Sequence, residues 1–218
     1  MLPNRLTKID ETSCSVHTYL SPDDGCYYFG EFFAGKGFRG GETNQLVLNF
    51  KIKPSQIALN PRRSIYKVRA IQEIASALRS TIGPADVNRI TFVPVPGSKV
   101  RGHADYCQRL EMCLQVAFDG LNPDIRPLLR QTQSTDPDHE AGQRLTIDEL
   151  RALIEIDHGS AANPFREWVM LFDDVITSGK HFKVCREKIL AFRPAAQVAG
   201  IFVARRIPTS PFEAILEF

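Results

Sequence analysis

The sequence lacks the features that mark several classes of protein. Its five cysteines form no Cys-x-x-Cys pair, which argues against a zinc ribbon and a dithiol redox motif. No apolar run approaches the roughly 18 residues of a membrane span, and the polar start of the chain does not resemble a signal peptide. We therefore expect no membrane association, reduced thiols and a cytoplasmic location.

An excess of charge of one sign is also missing. Lys and Arg total 27 and Asp and Glu total 25, which gives a net charge of +2. This balance provides no long-range attraction to nucleic acid or to a membrane surface. Any site that binds an anion must therefore be formed by a local group of basic residues or N–H donors. The 218 residues, 43% of them apolar, are enough to bury a core without a metal or disulfide.

Apolar periodicity and turn residues predict that strands and helices alternate over residues 89–204. The predicted strands are Arg89–Val95, Ile125–Leu129, Trp168–Phe172 and Gln197–Ala204. The predicted helices are Ala104–Phe118, Ile147–Ile156 and a helix that contains Phe182, Cys185, Ile189 and Phe192. Parallel neighbours need crossover helices, so the pattern predicts an α/β fold whose mostly parallel, twisted sheet is flanked by helices.

The first 60 residues interrupt this alternation. They contain an aromatic, β-prone run, Cys26–Phe33, which is followed by a cluster of glycines. A long amphipathic helix is predicted from Ser64 onwards. We therefore predict a small N-terminal hood subdomain over residues 1–60 and an α/β domain over residues 61–218.

The most informative stretch is WVMLFDDVITSGKHF, residues 168–182. It has an apolar strand, two carboxylates, a turn of small residues and a helix. Ligands of open α/β sheets bind beyond the carboxyl ends of strands, and a helix N-terminus favours anions. The pattern predicts that Thr177, Ser178 and Gly179 wrap a phosphate and that Asp173 and Asp174 accept hydrogen bonds from sugar hydroxyls.

Other motifs fit this stretch poorly. A P-loop requires Gly at 174 and Ser or Thr at 181, where this chain has Asp174 and His181. A G-x-G-x-x-G motif is absent, and Val175 stands where an aspartyl phosphatase has its second acid. One alternative stays open, in which the acids and Ser178 only form a turn and cap a helix.

The string VMLFDDVITSGK resembles the phosphoribosyl pyrophosphate (PRPP) motif of type I phosphoribosyltransferases. That motif has four apolar residues, two acids, two apolar residues and Thr-Thr-Gly. The resemblance implies that Asp173 and Asp174 are catalytic, bind the ribose hydroxyls and contact magnesium that arrives with PRPP. It also implies a 5-phosphate site built from Val175, Ile176, Thr177, Ser178, Gly179 and Lys180.

The string FVPVPGSKVRG resembles a second element of these enzymes and is most similar to the competence protein F (ComF) group. The corresponding loop of the family binds pyrophosphate. That role would fall to Pro96, Gly97, Ser98, Lys99 and Arg101. The polar segment 130–144 matches the flexible catalytic loop in position, which implies catalytic roles for Arg130 and Arg144.

These resemblances predict a magnesium-dependent phosphoribosyltransferase that releases pyrophosphate from PRPP and acts on an unidentified acceptor. The alternative is a binding module that senses PRPP or a nucleotide without turnover, which the replacement of the usual Ser or Thr by His181 favours. A structural or partner-binding protein, suggested by the aromatic run Tyr27–Phe33, is a third hypothesis. A homodimer and an operon-encoded partner protein are both left open.

Overall fold

The computed structural model describes residues 2–135 and 145–208. Its strands are β1 (Thr7–Lys8), β2 (Cys26–Phe33), β3 (Ile90–Pro94), β4 (Asp124–Ile125), β5 (Leu129–Gln131), β6 (Ile154–Ile156), β7 (Trp168–Ile176) and β8 (Gln197–Ile207). Its α-helices are α1 (Glu11–Cys14), α2 (Glu42–Phe50), α3 (Pro54–Leu59), α4 (Arg63–Thr81), α5 (Pro84–Val87), α6 (Arg109–Ala117), α7 (Ile147–Leu153) and α8 (Lys180–Phe192).

Six strands form the main sheet in the order β1-β2-β8-β7-β3-β4. The pairs β2–β8, β8–β7, β7–β3 and β3–β4 are parallel, and only the short β1 is antiparallel to its neighbour. Strands β5 and β6 form a separate antiparallel pair. The predicted α/β class, with a mostly parallel sheet flanked by helices, is confirmed.

The two faces of the sheet support two apolar clusters. One joins the sheet to α2, α4 and α6 and includes Phe50, Ile74, Leu114 and Phe172. The other joins it to α7 and α8 and includes Leu171 and Ile189. Phe172 and Leu171 are neighbours on β7 and lie in different clusters, because successive side chains of a strand point to opposite faces.

The N-terminal segment contributes directly to the main sheet. Strand β2 pairs with β8 from Cys26 opposite Gly200 to Phe33 opposite Ile207. Helix α2 packs against α4. The run Cys26–Phe33 is therefore a sheet strand, and the proposed division of the chain at residue 60 stays a prediction.

Several predicted elements differ in extent from the observed ones. Strand β7 continues past Phe172 through both acids to Ile176, and β8 continues past Ala204 to Ile207. The strand expected over Ile125–Leu129 is divided between β4 and β5, because Pro127 lies between them and has no N–H for a ladder hydrogen bond. Helix α7 ends at Leu153 rather than Ile156, because Ile154 takes extended backbone angles and begins β6. Helix α6 begins at Arg109 rather than Ala104, after a turn in which Gly102 has a positive φ of 91°.

No helix within residues 2–135 and 145–208 is a candidate for spanning a membrane. None of the helices there combines the length and the apolar character that a bilayer crossing requires.

Candidate functional site

The acid pair Asp173–Asp174 lies near the carboxyl end of β7, in the middle of the parallel sheet. The backbone N–H of Asp174 donates to Oδ1 of Asp173 at 2.7 Å. Because adjacent residues of a strand point to opposite faces, the two carboxyl groups enter different surroundings. The two acids therefore have to be described separately.

Asp174 is buried and held by two cations. Its Oδ1 lies 2.9 Å from Nζ of Lys51, and its Oδ2 accepts a hydrogen bond from Nη2 of Arg109 at 2.5 Å. Burial alone would raise the pKa of Asp174, but the Lys51 ammonium and the Arg109 guanidinium hold it well below its usual range. Asp174 is therefore an ionised anchor for two helices.

Asp173 is half-buried and lines a cavity of about 390 Å³. Burial, and then the negative charge of Asp174, raise the pKa of Asp173 to about 7. A carboxyl group in this state can donate or accept a proton near neutral pH.

The cavity is lined by the loop after β3, the start of α6 and strand β5. Cys107 and Tyr106 lie in its wall, just before α6. Its basic lining residues are Lys99, Arg101, Arg109 and Arg130, and its acidic ones are Glu111, Asp157 and Asp173. A guanidinium can bind phosphate oxygens in a bidentate manner. The lining of the cavity thus has the donors that a phosphorylated ligand needs.

Two loops at the cavity are joined by hydrogen bonds. The side-chain amide of Gln131 and the backbone N–H of Thr135 donate to the carbonyl of Ser98, at 3.3 and 2.8 Å. The N–H of Val100 donates to Oγ of Ser134 at 3.1 Å. The predicted pyrophosphate loop and the described start of segment 130–144 therefore lie against each other.

The turn Thr177–Gly179 is in contact with residues 17–20 of the chain. The Nδ1–H of buried His17 donates to the carbonyl of Thr177, and the N–H of Tyr19 donates to the carbonyl of Ser178 at 2.9 Å. Gly179 has a φ of +85°, and a Cβ at this position would lie 2.5 Å from Cγ of Leu20. We call residues His17–Leu20 the cover segment, because they pack on the turn that was expected to bind a phosphate.

The structure brings only some of the predicted site residues to the cavity. Those that line it are Pro96, Gly97, Lys99, Arg101, Arg130 and Asp173. Those that do not line it are Ser98, Asp174, Val175, Ile176, Thr177, Ser178, Gly179 and Lys180. Within the turn, Thr177 is exposed, and after it Nζ of Lys180 donates to the carbonyl of Leu145. Arg144 lies outside the described residues.

Sequence reasoning missed the two cations that hold Asp174. Arg109 is the first residue of α6, and a basic side chain in the first turn of a helix is disfavoured by the helix dipole. Because the sequence predicts this helix from Ala104, Arg109 falls in its second turn, and the unfavourable position becomes visible only with the observed start of α6. Lys51 follows α2 and carries no comparable signal.

A resident metal centre is not evident in the described part of the chain, where no group of three or more His, Cys, Asp or Glu could hold an ion. Magnesium commonly takes one or two protein carboxylates and completes its shell with water and substrate phosphates. The carboxyl group of Asp173 fits this use, whereas both oxygens of Asp174 already contact cations.

Comparison with known proteins does not identify the chain, because no family model and no curated protein matches it. A function therefore has to be inferred from its own residues.

Proposed function

We propose that this protein binds PRPP together with magnesium and transfers the phosphoribosyl group to an acceptor, with release of pyrophosphate. The observation that carries the proposal is the position of Asp173 of β7 in a cavity that is lined by four basic side chains and lies beyond the carboxyl end of the neighbouring strand β3. Ligands of open α/β sheets bind at this end of the strands.

The charges of the cavity suit a ligand that combines a sugar with a diphosphate. Lys99 and Arg101 follow β3, and Arg130 lies on β5, so these cations come from two elements that are bonded to each other. In the proposed complex they offset the charge of the diphosphate as it leaves. Asp173 accepts a hydrogen bond from a ribose hydroxyl, which orients the sugar for displacement at C1.

Magnesium would be held by Asp173 and by the diphosphate itself. When bound, it would neutralise part of the phosphate charge that builds up on the leaving group. The chain's own residues orient the sugar and supply the remaining positive charge. Arg109 has two roles in the proposed site, because it holds Asp174 in place and also lines the cavity.

Calorimetric titration of PRPP with magnesium tests the binding step. Wild-type protein and Asp173→Asn are compared, because Asp174→Asn removes the partner of two cations and can disturb folding. We expect Asp173→Asn to weaken PRPP binding about tenfold or more, as loss of a hydrogen bond to a charged group does.

Asp148→Asn is the matched control, because its side chain is 84% exposed on α7 and does not line the cavity. It is expected to bind as the wild type does. Failure of the folded wild-type protein to bind PRPP would overturn the proposal, and so would unchanged affinity in Asp173→Asn.

A second candidate is a module that binds PRPP or a nucleotide without turnover. The cover segment favours it, because the turn Thr177–Gly179 is packed against Leu20 and is not part of the cavity. Incubation with PRPP, magnesium and a panel of nucleobases and amines separates the two candidates. Release of pyrophosphate that depends on one acceptor supports the transferase, and binding without release supports the module.

A further inference from the structure

Cys107 and Lys67 form a close pair at the wall of the cavity. Lys67 lies on α4 with a relative exposure of 8%. Its Nζ donates to the carbonyl of Ile52 at 2.6 Å and to Sγ of Cys107 at 2.8 Å. Cys107 precedes α6 by two residues and lines the cavity with Arg109. A buried ammonium group is thus fixed on a sulfur atom that faces a ligand-sized space.

The surroundings of Cys107 favour the thiolate. Burial by itself would raise the pKa of Cys107, but the hydrogen bond and charge of Lys67, followed by the charge of Arg109, lower it below its ordinary value. The pKa values of the other four cysteines shift in the opposite direction, because burial raises the pKa of Cys14, Cys26, Cys113 and Cys185. Only the thiolate is a strong nucleophile.

Cys107 is also the only cysteine among the described residues that line this cavity. Cys113 lies in the apolar core and donates to the carbonyl of Ile71. A thiolate that faces a cavity without a second thiol has no resolving partner there, so its first oxidation product is not converted into a disulfide within the cavity.

We propose that the Cys107–Lys67 pair is a modification site at which small hydroperoxides, such as hydrogen peroxide, oxidise Cys107 to a sulfenic acid. The thiolate sulfur attacks one peroxide oxygen, so that an S–O bond forms and the O–O bond breaks. Sulfur loses two electrons, and the peroxide accepts them. The leaving hydroxide takes a proton from the solvent and becomes water, and the protein retains the Cys–S–OH group, which adds a polar oxygen to the cavity wall.

The wild-type protein can test this proposal by an internal comparison. Folded protein is treated with hydrogen peroxide near neutral pH in the presence of dimedone, which traps sulfenic acids, and labelling is followed by peptide mass spectrometry. Cys14 is the control, because it is a half-buried free thiol like Cys107 but lacks a lysine partner at its sulfur. We expect Cys107 to be labelled about tenfold faster or more.

Two variants assign the reactivity to the pair. Lys67→Met removes the ammonium group and keeps the length of the side chain, and we expect labelling of Cys107 to fall to the rate of Cys14. Lys67→Arg keeps a positive charge and should retain much of the reactivity. The variants are compared only after circular dichroism has shown that they are folded.

Equal labelling of Cys107 and Cys14 in the wild-type protein would overturn the proposal, whether or not the variants fold. Rapid labelling of Cys107 that persists in folded Lys67→Met would overturn the role of Lys67. No phosphorylated ligand is used, so the result is independent of whether the protein binds PRPP.

Discussion

The two halves of the predicted ligand site differ in what covers them. The cavity beside Asp173 is open, and basic side chains from several elements line it. The turn Thr177–Gly179 comes only a few residues later on the same chain, yet the cover segment packs directly on it. A motif of a dozen residues specifies a local conformation, but packing from a distant segment decides whether that conformation is accessible to a ligand.

The same contrast appears between the two acids of the motif. Asp174 is bound by Lys51 and Arg109, and its charge serves to join elements of the protein. Asp173 faces the cavity and carries a raised pKa. One carboxyl group therefore stabilises the site, and its neighbour is available to a ligand.

The largest expected effect comes from Asp174→Asn. The substitution leaves the partly buried Arg109 and the adjacent Lys51 without their carboxylate, and breaking such a pair costs about 3 kcal/mol or more of folding free energy. Urea unfolding followed by circular dichroism measures the loss. Unfolding at the wild-type midpoint would show that Asp174 does not anchor these elements.

The second-largest expected effect on stability compares the covered turn Thr177–Gly179 with the loop after β3 that lines the cavity. Gly179→Ala forces a Cβ against Leu20 at a positive φ, and we expect a loss of about 2 kcal/mol in the free energy of unfolding. Gly97→Ala in the cavity loop is the matched control, since no atom lies within 4 Å of the added Cβ, and it should change stability by no more than about 0.5 kcal/mol. Equal effects of the two changes would contradict the difference between the regions.

A smaller effect, with a defined pH dependence, is expected for Asp173→Asn. The pKa of Asp173 is raised from 3.8 to about 7 in the folded protein, so the folded state binds a proton more tightly than the unfolded state does. The stability that this proton provides is lost as the pH rises from about 3.8 towards 7. Above that range Asp173→Asn should be more stable than the wild type by ~1 kcal/mol or more.

Thermal unfolding across a pH series checks this prediction. The advantage of Asp173→Asn should shrink as the pH is lowered towards 4, where the wild-type carboxyl group is protonated in the folded protein. A constant difference at all pH values would mean that Asp173 does not titrate as described.

The smallest expected effect on stability is that of Arg130→Ala. The ion pair of Arg130 with Glu155 has an N–O distance of 3.2 Å, and both side chains are about half exposed, so its loss should cost no more than about 0.5 kcal/mol. Under the proposed function the same substitution weakens PRPP binding about tenfold, because it removes one charge-assisted contact. Glu155→Gln, which leaves Arg130 in place, is the control, and calorimetry measures both variants.

The sequence predicted the strands that carry the site better than the contacts between them. Apolar runs such as those around Phe92 and Leu171 are visible in sequence because both faces of these strands are buried. The pairing of β2 with β8 was not predicted, since no local pattern in Cys26–Phe33 encodes a partner more than 170 residues away.

The site shows the same limit. A strand leading into Asp173 and Asp174 was readable from local sequence, although β7 continues through both acids to Ile176. The contact of Asp174 with Arg109 spans 65 residues and depends on how α6 packs. The cover segment was missed for the same reason, because the contact of His17 with Thr177 spans 160 residues.

The position of β8 in the sheet affects the order in which the protein can fold. This strand lies between β2 and β7, and the ion pair between Arg205 and Glu31 joins residues 174 positions apart. During synthesis, the edge of β2 that pairs with β8 therefore stays unpaired until almost all of the described chain has left the ribosome. Contacts of such long range slow folding. The aromatic strand Cys26–Phe33 is therefore the segment to which we expect a chaperone to bind during synthesis.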